Sequence, residues 1–372
     1  MTRILFFLFA FCFALNCLSA PQSSAYAIIR LLNSRTSGSP KAYIDAARIV
    51  AQDAAAGRPV QQYVMAIVCD DRQLPEELRL SSETRQKYLE SSRKRIRELA
   101  EFKNNALAWY LLSIEKNDVA MLERAAKGQN VQALNAWGSY TLSTTMADPD
   151  ATNAMRQKAA ETAFNCYLKA SEQDDANGFF NLGICYKNGF GCAKDEIKAF
   201  GCFRRAAEAG HPEAMNNLGG CYRDGVAVER NLKTAASWFK KSSDCENAYG
   251  QLNLAVCYLE GDGVEKDPAR AVKLLNLAVQ QGNVEALDVL GMCYFKGNGI
   301  EKNELKAFDY FKLAAEHGLP QAMENLASCY EQGLGGVEKN QVLSTVWKIR
   351  SRAVRGDRNA AAWLLQNGYS VR

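Results

Sequence analysis

Histidine is nearly absent from this 372-residue chain, which holds only His211 and His317. Each stands in a turn, after Gly210 or Glu316, so both read as turn residues rather than general bases. No cysteine pair has the spacing of a zinc finger, and histidine is too scarce to complete a usual metal site. An excess of either charge is missing too: 45 Lys and Arg against 41 Asp and Glu leave +4. That balance gives no footprint for nucleic acid. Two local basic runs, Arg85, Lys87, Arg93, Lys94, Arg95, Arg97 and Lys348, Arg350, Arg352, Arg355, Arg358, read as solvated helix faces. There is no phosphate-cradling Walker loop, and the Gly-x-Gly elements follow helical rather than strand patterns, which excludes a dinucleotide fingerprint. No cofactor is implied.

Long hydrophobic runs are confined to the first residues. Arg3 precedes an apolar stretch from Ile4 to Leu15, and Ala25-Tyr26-Ala27 offers a small-x-small cleavage site, the layout of a secretory signal peptide over residues 1–27. The stretch is shorter than the ~20 residues of a bilayer span. The expectation is an exported chain, secreted or periplasmic or in a secretory lumen, with no stable membrane insertion after cleavage. Retention as an anchor is the alternative.

What the chain has in abundance is periodicity. Cys-Tyr recurs at Cys185-Tyr186, Cys221-Tyr222, Cys257-Tyr258, Cys293-Tyr294 and Cys329-Tyr330, every 36 residues. Leu182, Leu218, Leu254, Leu290 and Leu326 keep the same step, as do Gly189, Gly225, Gly261, Gly297 and Gly333. Leu182, Cys185, Tyr186 and Gly189 fall at i, i+3, i+4 and i+7, one face of a helix. Ala199, Cys202, Phe203, Ala206 and Ala207 form a second. Each unit is therefore a helical hairpin of helices A and B. The loop glycines suit a left-handed helix end. Asp195, Asn231, Asp267, Asn303 and Asn340 are placed to cap helix B, with Pro268 in a first-turn position. One additional loop residue, at Gly335-Gly336, moves Trp347 into the place of Trp238 and Tyr310.

The pattern Leu-Gly-x-Cys-Tyr-x-x-Gly-x-Gly, then Lys-Asp, Lys-Ala and an aromatic-rich helix ending Ala-Ala-x-x-Gly, resembles the Sel1-like repeat, a relative of the tetratricopeptide repeat. The resemblance covers five regular units from residue 178 to about 357. Ala255 and Ala327 depart from it in place of the Gly after Leu, and Ala227 in place of the second loop Gly. It implies an all-α fold, a right-handed α-solenoid of stacked antiparallel helix pairs. Upstream, Ala133 to Ala170 reads as a unit with a stretched loop around Asp148-Pro149, so the repeats are taken to span 133–357. Ala106 to Gly128 reads as a unit whose loop is lost, and Gln62 to Ala66 with Tyr88 to Ala100 as a pair separated by an insertion near Pro75. These belong to a divergent helical region, 28–132, and residues 358–372 to a terminal capping helix.

Ten cysteines remain if Cys12 and Cys17 leave with the leader. Equivalent positions on neighbouring units lie roughly 10 Å apart, beyond the ~7 Å that a disulfide spans, so the Cys-Tyr cysteines cannot pair with each other. An offset of 19 joins Cys166 to Cys185 and Cys202 to Cys221 as possible bridges. In the other units that offset meets Trp238, Leu274 and Tyr310, which favours an apolar packing site and buried thiols.

The resemblance implies a noncatalytic scaffold, a monomer that binds a protein or peptide. A recurring amide, Asn181, Asn217, Asn253 and Asn325, with Val289 breaking the series, is the candidate partner ligand; the alternative is that each Asn ties its helix to the adjacent unit. Cysteine-rich relatives have been credited with β-lactam chemistry, and Ser-x-x-Lys occurs at Ser91–Lys94 and Ser237–Lys240. Both lie on charged helix surface, and neither Ser-Asp-Asn nor Lys-Thr-Gly is present. An envelope polysaccharide binder is a further alternative, resting on Trp137 and Trp363.

Overall fold

The computed structural model describes residues 40–56, 59–68, 75–101, 106, 109–110, 112–113 and 118–370. The expected leader, 1–27, lies outside them. Among the described residues every regular element is helical and none is a strand, an all-α repeat solenoid architecture. The chain divides into two compact units, Met1–Leu218 and Gly219–Arg372.

The first unit holds α1 (Pro40–Ala55), α2 (Pro59–Val68), α3 (Ser82–Glu101), α4 (Val119–Lys127), α5 (Val131–Ala147), α6 (Asn153–Ser171), α7 (Ala176–Asn188), α8 (Glu196–Glu208) and the start of α9 (Pro212–Asp224). Within each run, helices consecutive in the chain pack together: α1 to α3, then α4 to α8. Pairing α2 with α3 matches the pattern at Gln62 and Tyr88, with one 3₁₀ turn, Glu76–Leu78, in the insertion after Pro75. For α1 the repeat motif offers no register.

The unit around Asp148 corrects one expectation. Its additional residues lengthen the helices rather than the loop: α5 has 17 residues and α6 has 19, against 13 in α7. No glycine occurs between Gly138 and Gly178, so nothing stops α5 in a left-handed turn. It runs on until Asp148, which Pro149 forces to an extended ψ of 115°. Thr152 then caps α6, its hydroxyl accepting the Met155 N–H at 3.2 Å.

The second unit continues α9 and adds α10 (Leu232–Asp244), α11 (Ala248–Glu260), α12 (Pro268–Gln280), α13 (Val284–Lys296), α14 (Glu304–Glu316), α15 (Pro320–Gln332), α16 (Gln341–Val354) and α17 (Arg358–Gln366). From α10 onward each packs on the next. Its B helices are capped as the sequence predicts: Asn231, Asp267, Asn303 and Asn340 accept from Thr234, Arg270, Lys306 and Leu343 N–H at 2.9 to 3.0 Å. Asp195 does the same for Lys198 in the first unit, at 2.9 Å. The extra residue at Gly335-Gly336 is absorbed in the loop, because the Asn340 N–H still reaches the Tyr330 carbonyl at 2.8 Å.

The hairpins close through one glycine and one ring. A methyl on Gly291 would stand 2.7 Å from the Phe311 ring, on Gly219 2.6 Å from Phe239, and on Gly183 2.7 Å from Phe203. The two departures from Gly have a reason. Ala255 shares its buried cluster with Leu275, which stands where the others have Phe, and Ala327 shares a helix pair whose corresponding residue is Lys348. With no ring across from it, the methyl fits. The second loop glycine has a different constraint: Gly263, at φ 74°, lies against the first turn of α10, where a side chain would overlap the Leu232 carbonyl.

Candidate interaction surface

The Cys-Tyr pair closes helix A. In the second unit the Cys257 carbonyl accepts from the N–H groups of Gly261 and Asp262, and the Tyr258 carbonyl accepts from the Asp267 N–H at 2.9 Å. The same bonds recur at Cys185 and Tyr186 in the first unit. Three of the five Tyr rings lie beneath a cation from their own helix B: Lys198 at 5.4 Å from the Tyr186 ring, Arg270 at 5.9 Å from Tyr258, Lys306 at 5.3 Å from Tyr294. Cys185, Cys257, Cys293 and Cys329 are buried. Burial pushes the Cys185 thiol up to about 12 and the other three to about 11, so they stay protonated and poorly nucleophilic. Of the four cysteines considered for bridges, Cys166, Cys185, Cys202 and Cys221, each is a thiol in the structure.

The amide row is engaged inside the stack. Asn325 donates to the Asp288 carboxylate at 2.7 Å, one repeat earlier, and Asn181 donates to Asn135 at 3.5 Å. Asn253 accepts from Arg223 at 3.2 Å. Asn217 is half-buried in α9. Three of the four candidate ligands thus spend hydrogen bonds on neighbouring repeats. Two of the partners, Asn135 and Asp288, hold the fifth position of their A helices, a row that the sequence reading did not single out and to which Glu324 also belongs. Glu324 accepts from Ser351 at 3.1 Å and Arg355 at 2.6 Å.

A second polar series was also missed, though its signal was plain. Asp175, His211, Asn247 and Asn283 stand 36 residues apart, immediately before an A helix. Asp175 accepts from the Gly178 N–H and from Asn135, both at 2.7 Å. Its second carboxylate oxygen is buried without a partner. Burial pushes its pKa up to about 6, against the lowering effect of the Gly178 and Asn135 bonds. His211 is buried, stacked on Phe180 with centroids 4.4 Å apart. Its Nδ1 accepts the Ala214 N–H at 3.3 Å and lies 3.2 Å from a Glu213 carboxylate oxygen. Burial pushes the imidazole down to about 4 and the Glu213 carboxyl upward. His211 is thus a helix cap in place of Asn or Asp, and His317 forms the C-cap of α14.

The serine motifs are occupied otherwise. Ser91 donates to Gln62 at 2.9 Å, and Lys240 donates to Asp244 at 2.7 Å. Among the described residues no group of three or more His, Cys, Asp and Glu is arranged to hold a metal ion. A depression along α3 is lined by Glu90, Arg93, Lys94, Arg97, Glu98 and Glu101, alternating charges on one helix face. The C-terminal basic run is largely consumed: Lys348 pairs with Glu331, Arg352 with Asp357 and Arg355 with Glu324, at 2.6 to 2.7 Å. Trp137 stacks with Tyr140 in the first unit, and Trp363 with Tyr369 in the second. No helix of the described residues is long and apolar enough to cross a membrane.

Comparison with known proteins gives this geometry its relatives. None of the curated proteins compared with the chain matches it. Among solved structures, a Sel1 repeat protein from Oxalobacter formigenes is similar at 30% identity and a TM-score of 0.56, over 65% of this chain and 94% of that one. The c5321 protein, a protective antigen of uropathogenic Escherichia coli strains displaying an SLR fold, shares the fold at 24% identity and a TM-score of 0.54, over 86% of this chain and 66% of its own. The family model described as Sel1 repeat matches residues 156–175, 180–211, 212–247, 248–283, 284–319 and 320–347, just over half of the chain. With the caps, loop glycines and interlocked rings recurring at that period, the chain belongs to the Sel1 repeat family.

Proposed function

We propose that this protein is an exported, noncatalytic scaffold that binds a protein or peptide as a monomer. The observation that carries the reading is a division of labour along the A helices. The buried register repeats almost unchanged, whereas the second residue of each A helix in the second unit differs and is exposed: Tyr249, Glu285 and Gln321. A rigid, repeated core presenting varied side chains suits recognition by surface, and Sel1 repeats generally serve protein interaction. The inward amides hold repeat to repeat, so the partner contacts fall on the exposed positions. Export rests on Arg3, the apolar run after it and the Ala25-Tyr26-Ala27 site.

Crosslinking in the native compartment, followed by identification of the attached species, tests the scaffold. A polypeptide captured by the native chain and lost from a Tyr249→Ala, Glu285→Ala, Gln321→Ala variant supports it; capture indifferent to those changes rejects the assigned surface. The mass of the protein isolated from its own cells tests export, with a start at Ile28 expected. A chromogenic β-lactam assay tests the noncatalytic reading: turnover abolished by Ser91→Ala or Ser237→Ala would overturn it.

A further inference from the structure

The two sets of helices in the second unit carry opposite charge. The B helices α10, α12, α14 and α16 hold ten basic and four acidic side chains; α9 from Gly219 on, α11, α13, α15 and α17 hold three basic and six acidic. Ion pairs occupy two of the four acids on the B helices, Asp244 with Lys240 at 2.7 Å and Glu304 with Lys302 at 2.8 Å, and four of the ten bases, Lys240 together with Arg270, Lys348 and Arg352, which leaves six bases against two acids. Lys233, Lys273, Lys306 and Lys312 are exposed among them.

Large apolar side chains stand in the same face. Leu305 is 58% exposed and Val342 63%, each the second residue of its B helix; Leu277 and Leu313, 46% and 43% exposed, share the tenth position of α12 and α14. An isolated exposed leucine needs no explanation. Recurrence at matching positions of successive B helices, with Lys306 next to Leu305 and Lys312 next to Leu313, forms an aligned stripe instead. In the first unit α8 shows the same pairing, with Ile197 74% exposed beside Lys198.

We propose that the B-helix face of the second unit docks on an anionic lipid bilayer surface. Charge complementarity draws the lysines to the headgroups. The leucines and the valine project from helix ridges, and a headgroup layer deforms around them without needing a preformed pocket. A peptide helix would instead need a groove to lie in. The A helices of the unit, with three basic and six acidic side chains, hold no basic excess to draw headgroups, so docking is one-sided and leaves the exposed A-helix positions open. Peripheral attachment of this kind needs no spanning helix.

Co-sedimentation of the mature chain with vesicles tests the proposal, using phosphatidylcholine alone or with a third of the lipid replaced by phosphatidylglycerol. Binding is expected only to the anionic vesicles, falling more than tenfold when salt is raised to about 0.5 M. A Lys273→Glu, Lys312→Glu variant is expected to bind at least tenfold more weakly, and a Leu305→Ser, Val342→Ser variant to lose the salt-resistant remainder. All four positions are exposed, and unchanged circular dichroism checks that the variants fold. Equal sedimentation with both vesicle types, sedimentation with neither, or full binding by the charge-reversed variant overturns the proposal. Retention of soluble polyglutamate without vesicle binding also overturns it and assigns the face to an acidic polypeptide.

Discussion

Asp175 and His211 occupy the same cap position in successive repeats and titrate in opposite senses. Asp175 is raised to about 6 from 3.8, so on acidification the folded chain takes up a proton before the unfolded chain does. Stability from this group rises as pH falls from about 6 to about 4. His211 is lowered to about 4 from 6.5, so there the unfolded chain takes up the proton first, and stability falls over the same window. Glu213, raised by burial, acts with Asp175. An Asp175→Asn variant keeps an acceptor for the Gly178 N–H and removes the buried charge. It is expected to be more stable than the native chain at pH 7.5, by on the order of 2 kcal/mol, and to lose more stability between pH 7 and 5. Urea melts at the two pH values read both effects. A loop residue supplies a second residue-scale prediction. Ala227 holds a left-handed φ of 58° where the other loops have glycine. Ala227→Gly is expected to stabilise by about 0.5–1 kcal/mol, seen as a higher urea midpoint with unchanged slope.

At the scale of the element, the glycine and ring of each hairpin act as one unit. Gly291→Ala places a methyl against Phe311 and is expected to cost about 1–3 kcal/mol by overpacking. Adding Phe311→Leu recreates the Ala255 and Leu275 pairing, so the double variant should recover part of that loss; strict additivity in a double-mutant cycle would remove the steric account. The amide bonds make a similar case between hairpins. Asn325→Ala leaves Asp288 buried without its donor and is expected to destabilise by about 1–3 kcal/mol. Asn325→Ala with Asp288→Leu, an apolar pair, should restore much of it. The repeat period foretold these helices, their loops and the caps of the B helices, because turn and cap chemistry is local. It did not foretell what the asparagines touch, since their acceptors lie 37 and 46 residues away in chain.

For the whole molecule, a repeat array in which helices within each unit pack on their chain neighbours transmits damage only a short way. In Gly291→Ala, amide exchange is expected to quicken in α13 to α15 and to leave α5 to α7 unchanged; uniform loss of protection would mark a single cooperative fold instead. The same short range governed how far the sequence could be read. Where the 36-residue step holds, every unit confirms the one before it, and the register is unambiguous. Around Asp148 the glycine that ends an A helix is missing, and the reading assigned to a loop the residues that α5 and α6 absorb.

By itself the sequence determined the architecture, the hairpin boundaries, the left-handed loop positions and the B-helix caps, all of which depend on residues within one period. Only the tertiary structure decided how the side chains are spent. Asn181 and Asn325 are turned toward the preceding repeat, Asp175 and His211 are buried caps with opposed titrations, and Leu305 and Val342 stand in solvent. Each of these outcomes depends on which face of a helix meets a neighbour, and that depends on packing between segments far apart in the chain.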